Sequence, residues 1–242
     1  MQAGADLGDT GTGMLLAIGI LGALYQRHTT GQGRRLQIAM QDAQLQYSRS
    51  AFVQHARSGE PAMRNGAKPL AGGMAPSGIY PCRPGGPNDY VYLFTSHANP
   101  EHWRRLLKVL GREDLLDDPR FATREARGGH EAEIDQMITD WTRRHDKHEA
   151  MRLIGGAGVP AGAVLDTGDL LAEPSFAARG IIQTMRHPTG LLRMPTFPVR
   201  FDGAPAPVEP APLLGEHTAE VFGEWLGISA GDVEALRGEG VV

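Results

Sequence analysis

The first long apolar segment of the chain has the pattern of a helix. Apolar residues dominate from Gly13 to Leu24, directly after the segment GDTGTG at Gly8–Gly13. Gly31 and Gly33 follow, and glycine after a helical pattern is typical of a helix end. We therefore predict a buried helix that begins at Gly8–Gly13 and ends near His28.

This apolar run is not expected to cross a membrane. Its 12 residues fall short of the roughly 20 that a membrane span needs. A signal peptide would carry basic residues ahead of the run, whereas Asp6 and Asp9 stand there. The sequence therefore predicts a cytoplasmic protein without a membrane segment.

Further periodic segments follow. Alternation of apolar and polar residues predicts a strand at Arg34–Met40, and a helical pattern covers Gln41–Arg57. A linker or functional loop rich in Gly and Pro is expected at Ser58–Gly78. The remaining predicted elements are strands at 79–82 and 89–95, helices at 99–111, 129–145, 147–155, 215–225 and 230–237, a short apolar stretch at 158–166, and an extended proline-rich strap at 194–212.

Composition narrows the functional classes. The 242 residues include 24 Lys and Arg against 28 Asp and Glu, a net charge of −4, which gives no general attraction for nucleic acid. The single cysteine, Cys82, excludes an internal disulfide framework and is expected to be a buried, inert thiol. His145 and His148 lack the partners of a zinc site, so we expect no metal.

Asp9 is the carboxylate best placed for chemistry. It precedes an apolar helix, whose N-terminus stabilises negative charge, and glycines beside it allow a bulky ligand to approach. It could act as a nucleophile, or it could simply cap the helix, and the two roles compete. The triplet Asp9-Thr10-Gly11 also occurs in aspartic proteases, which need a second such loop or a symmetric dimer. The second triplet of this chain, Asp166-Thr167-Gly168, is followed by Asp169 rather than by Ser or Thr, so the sequence does not favour that class.

The segment Ala71–Gly78 is the second candidate. Its glycine density suits a mobile lid over an active site, or an ordinary connection between domains. It lacks the glycine spacing of the common nucleotide-binding loops.

Several segments together carry a family resemblance. The segment from Gly8 to Ala43, the AGGMAPSG loop, PNDYVYLFT, GVPAGAV and APLLGEHTAEVF occur in this order in class III CoA-transferases of the CaiB/BaiF type. The chain resembles that family over nearly its whole length, and within it the formyl-CoA transferases. The resemblance implies an α/β fold, with an incomplete nucleotide-fold large domain (1–65 and 169–242) and a small α+β domain (66–168).

The resemblance also implies the chemistry. Asp9 matches the family's nucleophile, which attacks an acyl-CoA thioester to form an acyl-aspartyl anhydride and then an aspartyl-CoA thioester. Gly72 and Gly73 match the loop that closes over the intermediate. CoA enters as a substrate rather than a permanently bound cofactor, and family members form interlocked homodimers.

Two departures from the family pattern qualify this expectation. Met74 stands where the formyl-CoA transferases have Gln, and it cannot offer a dicarboxylate the amide hydrogen bonds of Gln. This implies a bulkier or more apolar acid.

The family's N-terminal nucleotide-fold region, which makes most CoA contacts, has no counterpart in residues 1–242. The chain could be the C-terminal part of a longer transferase, or a partner chain could supply the region. The alternatives are an α-methylacyl-CoA racemase-like enzyme, or an inactive truncated or interaction module.

Overall fold

The computed structural model describes residues 6–64, 66, 76–96 and 98–242. The chain divides into two compact units that meet in the sequence between Val164 and Leu165. Helices and short antiparallel strands make up both units. The division into domains 1–65, 66–168 and 169–242 stays a prediction.

The first unit begins with three helices. Helix α1 covers Leu7–Thr30 and ends at Gly31, whose left-handed conformation (φ 69°) favours glycine. Helices α2, Met40–Tyr47, and α3, Arg49–Ser58, replace the single helix predicted over Gln41–Arg57. Ser48 separates them, and its side chain and main-chain N–H both turn back to the carbonyl of Gln44.

The predicted strand at Arg34–Met40 is wrong. The residues before α2 have no regular secondary structure, and none of the described strands pairs with them. Alternation of polar and apolar residues can produce a strand only where a neighbouring strand offers hydrogen bonds. In this segment Leu36 instead lies near Gly19 of α1, 3.9 Å from a Cβ placed there.

The expectation that α1 is a buried helix is also wrong for this chain. Only Gly11 and Thr12 of the helix are buried, and large side chains such as Met14, Ile18 and Leu21 are exposed. With 24 residues α1 is long and apolar enough to cross a membrane by length and composition. Length therefore does not exclude a span, although a core helix of a soluble protein passes the same test.

A three-stranded antiparallel sheet forms the centre of the first unit. Its strands are β1, Ser77–Pro81, β2, Tyr90–Phe94, and β3, Ala161–Ala163, in the order β1-β2-β3. The first two confirm predicted strands. β3 lies within the predicted apolar stretch at 158–166.

Helices cover this sheet and complete one hydrophobic core. They are α4, Glu101–Leu110, a short 3-10 helix, Glu113–Leu115, α5, Arg124–Gly129, α6, Glu131–Thr142, and α7, Lys147–Gly156. Sixteen of the 18 buried apolar residues among those described belong to this core: Tyr80, Cys82, Val91, Leu93, Trp103, Leu106, Leu107, Leu110, Leu115, Phe121, Ile134, Ile138, Trp141, Ala150, Ile154 and Val159.

The second unit has little core of its own. It contains α8, Thr167–Ala172, α9, Pro174–Ala178, the hairpin of β4, Ile182–His187, and β5, Gly190–Pro195, and then α10, Thr218–Leu226, and α11, Ala230–Gly238. Val233 is its one fully buried apolar residue among those described. The hairpin and the two short helices were not predicted. The proline-rich strap is confirmed after β5, where residues 196–212 form no helix and only one isolated bridge, Phe201–Ala204.

Candidate active site

Asp9 lies in the first turn of α1 and is exposed. The residue that caps the helix is Asp6, which makes no capping hydrogen bond through its side chain. Among the described residues, no hydrogen bond, ion pair or ring contact involves the Asp9 carboxylate. The capping role weighed above therefore does not occupy this group. It is free to meet a ligand.

The main chain around Asp9 presents a favourable environment for an anion. The first hydrogen bond of the helix runs from Thr10 N–H to the Asp6 carbonyl, 2.9 Å. The N–H groups of Leu7, Gly8 and Asp9 precede it and have no partner within the helix. Such groups, with the helix dipole, stabilise negative charge that develops nearby.

The glycines around Asp9 differ in what surrounds them. A Cβ added at Gly8 or Gly13 would meet no described atom within 4 Å, so both leave room beside the carboxylate. A Cβ at Gly11 would come 2.7 Å from Cε2 of Tyr47. Gly11 therefore serves the packing of α1 against Tyr47 rather than the approach of a ligand.

Two residues that the sequence analysis did not single out contact this turn. Tyr47 Oη donates a hydrogen bond to the Gly11 carbonyl at 2.8 Å, and Gln44 Nε2 donates one to the Leu7 carbonyl at 3.1 Å. The three-residue spacing on α2 puts both side chains on one face. The sequence shows this spacing, but it does not show that this face of α2 contacts α1.

Gly72, Gly73 and Met74 lie outside the described residues, so their place relative to Asp9 is not part of the observed site. The segment that follows them is firmly held. Thr95 Oγ1 donates to the carbonyl of Pro76 at 2.7 Å, and Ser77 Oγ accepts from Thr95 N–H at 3.2 Å. The C-terminal end of the glycine-rich loop is thus anchored to the sheet.

The other candidate groups lie in the first unit, and of these Cys82 belongs to its core. Cys82 is 1% exposed, as expected, and burial raises the pKa of its thiol to about 11. His145 stacks on Trp141 with ring centroids 4.2 Å apart and lies 3.3 Å from Glu149, while His148 is exposed. The described residues contain no group of three His, Cys, Asp or Glu that could hold a metal ion.

Comparison with known proteins assigns the family. The profile of CoA-transferase family III matches residues 1–218, which is most of the chain. The chain belongs to CoA-transferase family III. The resemblance stated from the ordered segments is thereby confirmed.

Curated relatives and a solved structure agree with this family. The chain is 34% identical over 256 residues to a formyl-CoA:oxalate CoA-transferase of Streptomyces avermitilis, covering 100% of this chain and 61% of that protein. It is 32% identical over 244 residues to a succinyl-CoA–D-citramalate CoA-transferase of Chloroflexus aurantiacus, covering 100% and 59%. A CaiB/BaiF family protein from Brucella suis has a similar structure, with a TM-score of 0.75, 27% identity, and coverage of 93% and 56%.

These comparisons also fix how much of the family fold is present. The chain spans about three fifths of the length of the curated relatives it matches. It is a mixed helix and strand structure that corresponds to part of the class III CoA-transferase fold, as the resemblance implied.

Proposed function

We propose that the protein takes part in CoA transfer between an acyl-CoA and a carboxylic acid, with Asp9 as the nucleophile. The observation that carries the proposal is the Asp9 carboxylate, which lies exposed in the first turn of α1 and makes no hydrogen bond or ion pair with the described residues. The chain that carries it belongs to a CoA-transferase family. Relatives are named for transfer to oxalate and to D-citramalate, so carboxylic acids are the acceptor class. Met74 favours an acid more apolar than oxalate.

The proposed reaction proceeds through covalent intermediates on Asp9. A carboxylate oxygen attacks the thioester carbonyl, the carbon–sulfur bond breaks, and CoA thiolate leaves an acyl-aspartyl anhydride. The thiolate then attacks the aspartyl carbonyl, which releases the donor acid and forms an aspartyl-CoA thioester. The acceptor carboxylate attacks this thioester, the carbon–sulfur bond breaks, and CoA thiolate leaves a second anhydride between the acceptor acid and Asp9. The thiolate then attacks the acceptor acyl carbonyl, which forms the new acyl-CoA and frees the Asp9 carboxylate.

The environment of Asp9 suits these steps. Each attack creates an oxyanion, and the N–H groups of Leu7, Gly8 and Asp9 at the helix start can stabilise it. Gly8 leaves space for the thioester. In the proposal, Gly72 and Gly73 close over the intermediate as a lid, and the held segment after the loop gives that lid a fixed end.

The proposal includes the setting of the reaction. CoA is a substrate, and no metal or permanently bound cofactor takes part. The protein is cytoplasmic and does not bind nucleic acid. The exposed side chains of Met14, Ile18 and Leu21 on α1 support a second protein surface against this helix. In the proposal that surface is a second copy in an interlocked homodimer, or a partner that supplies the N-terminal nucleotide-fold region expected from the family resemblance.

A trapping experiment tests the proposal. The chain is incubated with mixed acyl-CoAs and hydroxylamine, alone and with the N-terminal portion of the Streptomyces avermitilis relative, and its peptides are mapped by mass. We expect an aspartyl hydroxamate at Asp9. Asp9→Asn should abolish it, and the matched variant Asp6→Asn should retain it.

The outcomes separate the candidate functions. If the Asp9 peptide is covered in both arms and remains unmodified, the transfer mechanism is wrong. Exchange of the substrate's α-proton without an acceptor acid would then favour the racemase-like alternative. If Asp9→Ala changes no measurable property, the chain is an interaction module.

A further inference from the structure

Two side chains of α2 hold the turn of α1 that carries Asp9. Gln44 donates its hydrogen bond to the carbonyl of Leu7, and Tyr47 donates to the carbonyl of Gly11. These carbonyls lie two residues before and two residues after Asp9, about one helical turn apart. The two contacts therefore bracket the nucleophile.

The contact at Gly11 is close as well as polar. The Tyr47 ring lies where a side chain at Gly11 would be, with Cε2 2.7 Å from an added Cβ. The buried residues of the two helices are small: Gly11 and Thr12 on α1 and Ala43 on α2. Small residues allow the helices to approach closely, and this approach lets the Tyr47 hydroxyl reach the main chain.

The first turn of a helix needs such support. Its N–H groups lack intrahelical partners, and helix ends fray. Here the capping residue Asp6 adds no hydrogen bond from its side chain. Thr10 Oγ1 bonds the Asp6 carbonyl and Thr12 Oγ1 bonds the Gly8 carbonyl, but both bonds stay within α1. Of these polar contacts, only those from α2 fix the turn to a second element.

We propose that Gln44 and Tyr47 are positioning residues that hold the Asp9 carboxylate in line with the acyl-CoA carbonyl. This inference rests on the proposed function, because it gives Asp9 the role of nucleophile. A nucleophile reacts fast only when it is held in a near-attack geometry, and a misplacement of about 1 Å can cost about 100-fold in rate. Neither residue touches the substrate in this proposal.

The test compares variants that lose one of these two hydrogen bonds with control variants that lose the same hydroxyl or amide group at an exposed position outside this contact. Tyr47→Phe keeps the ring and loses the hydroxyl, and Gln44→Leu loses the amide. The controls are Tyr25→Phe, at a side chain 78% exposed on α1, and Gln46→Leu, at an exposed position of α2. All are assayed as the full chain with the N-terminal portion of the relative.

Two readouts separate positioning from structure. Hydrogen exchange of the amides of residues 10–14 reports whether the turn is held, and the single-turnover rate of acyl transfer to Asp9 reports reactivity. We expect Tyr47→Phe and Gln44→Leu to speed the exchange and to lower the rate at saturating acyl-CoA roughly tenfold. The half-saturating acyl-CoA concentration should be unchanged. Both controls should match the wild type.

A second variant tests the same contact from the other side. Gly11→Ala leaves every donor in place, but its Cβ displaces the Tyr47 ring, so it should reproduce the slower transfer of Tyr47→Phe. A wild-type rate in Gly11→Ala would contradict the proposal.

The remaining outcomes also decide. Equal rates in Tyr47→Phe and Tyr25→Phe overturn the proposal, including the case in which only the exchange changes, because the contact is then merely structural. If the wild-type chain forms no adduct, the proposed function fails first and the positioning role falls with it. The exchange data would still report whether α2 holds the turn.

Discussion

Burial makes the Cys82 thiol resistant to alkylation. Its pKa is raised to about 11, chiefly by loss of hydration and further by the negative charges of Asp146 and Asp89. Since the thiolate is the reactive form, we expect alkylation at pH 8 to be at least about 100-fold slower than for a free cysteine. In denaturing urea the rate should rise to the ordinary value, as mass spectrometry would show. Fast labelling of the native chain would contradict the buried site.

Single residues differ in how far the sequence determines them. Asp9 could be predicted because its neighbours along the chain create its setting: an apolar helix after it and glycine beside it. The sequence places Gly11 near Asp9, but it does not show why a glycine is needed there, because the Tyr47 ring that requires it is 36 residues away along the chain. A contact across such a distance depends on how two helices pack, which periodicity does not encode.

Helix α7 provides a test of an element through its cap. Asp146 Oδ1 accepts the main-chain N–H groups of Glu149, at 2.8 Å, and His148, at 3.0 Å, and these bonds lower the pKa of the carboxyl. Asp146→Ala should lower the free energy of unfolding at pH 7 by about 1 kcal/mol. Asp117→Ala, at an exposed position, should change it by less than about 0.5 kcal/mol. Urea titration measures both.

The same cap predicts a pH dependence. In the unfolded chain Asp146 has an ordinary pKa of about 3.9, whereas its pKa in the folded chain is lower. The charge of Asp146 therefore stabilises the fold fully above that value, and this contribution is lost as pH falls through the folded-state pKa. Asp146→Asn keeps the cap without a titrating group, so its stability should fall less than that of the wild type between pH 5 and about pH 2. Parallel pH curves would contradict this.

Elements whose ends are marked by residues close in the sequence were predicted correctly. Elements that depend on pairing with another strand were not. Helix α4 has Asn99 Oδ1 accepting from Glu101 N–H at its start and Gly111 in the left-handed conformation at its end, close to the predicted bounds. The strand at 34–40 was wrong because alternation does not supply a neighbour. The β4–β5 hairpin was missed because its turn residues, Pro188 and Thr189, are not a common hairpin pair.

The distribution of the core predicts where the molecule resists mutation. Leu107 is 0% exposed in the sheet-and-helix core, and Leu214, which follows the strap, is fully exposed. Leu107→Ala should cost about 3 kcal/mol of unfolding free energy, and Leu214→Ala less than about 0.5 kcal/mol. Urea titration followed by tryptophan fluorescence reports this, since Trp103 and Trp141 lie in the core. Similar costs would mean that the segment around Leu214 is covered in solution.

For the whole molecule, the sequence predicted the family and the class of fold better than the packing. Ordered segments along the chain carry the family resemblance without any knowledge of contacts. The burial of α1 was wrong because an apolar sequence shows that a helix avoids water, not which surface covers it. The described residues of this chain leave most of that helix exposed.

Substitutions at the glycines beside Asp9 can therefore show whether a second protein surface contacts the start of α1. An alanine at Gly11 is obstructed from within, whereas at Gly8 and Gly13 the described residues leave a methyl group unopposed. A library that is selected for folded protein without acyl-CoA, and that rejects alanine at all three positions, would show that a second protein surface contacts Gly8 and Gly13. The largest side chain tolerated at each of these positions would then indicate the distance between α1 and that surface, to within about the size of one methyl group.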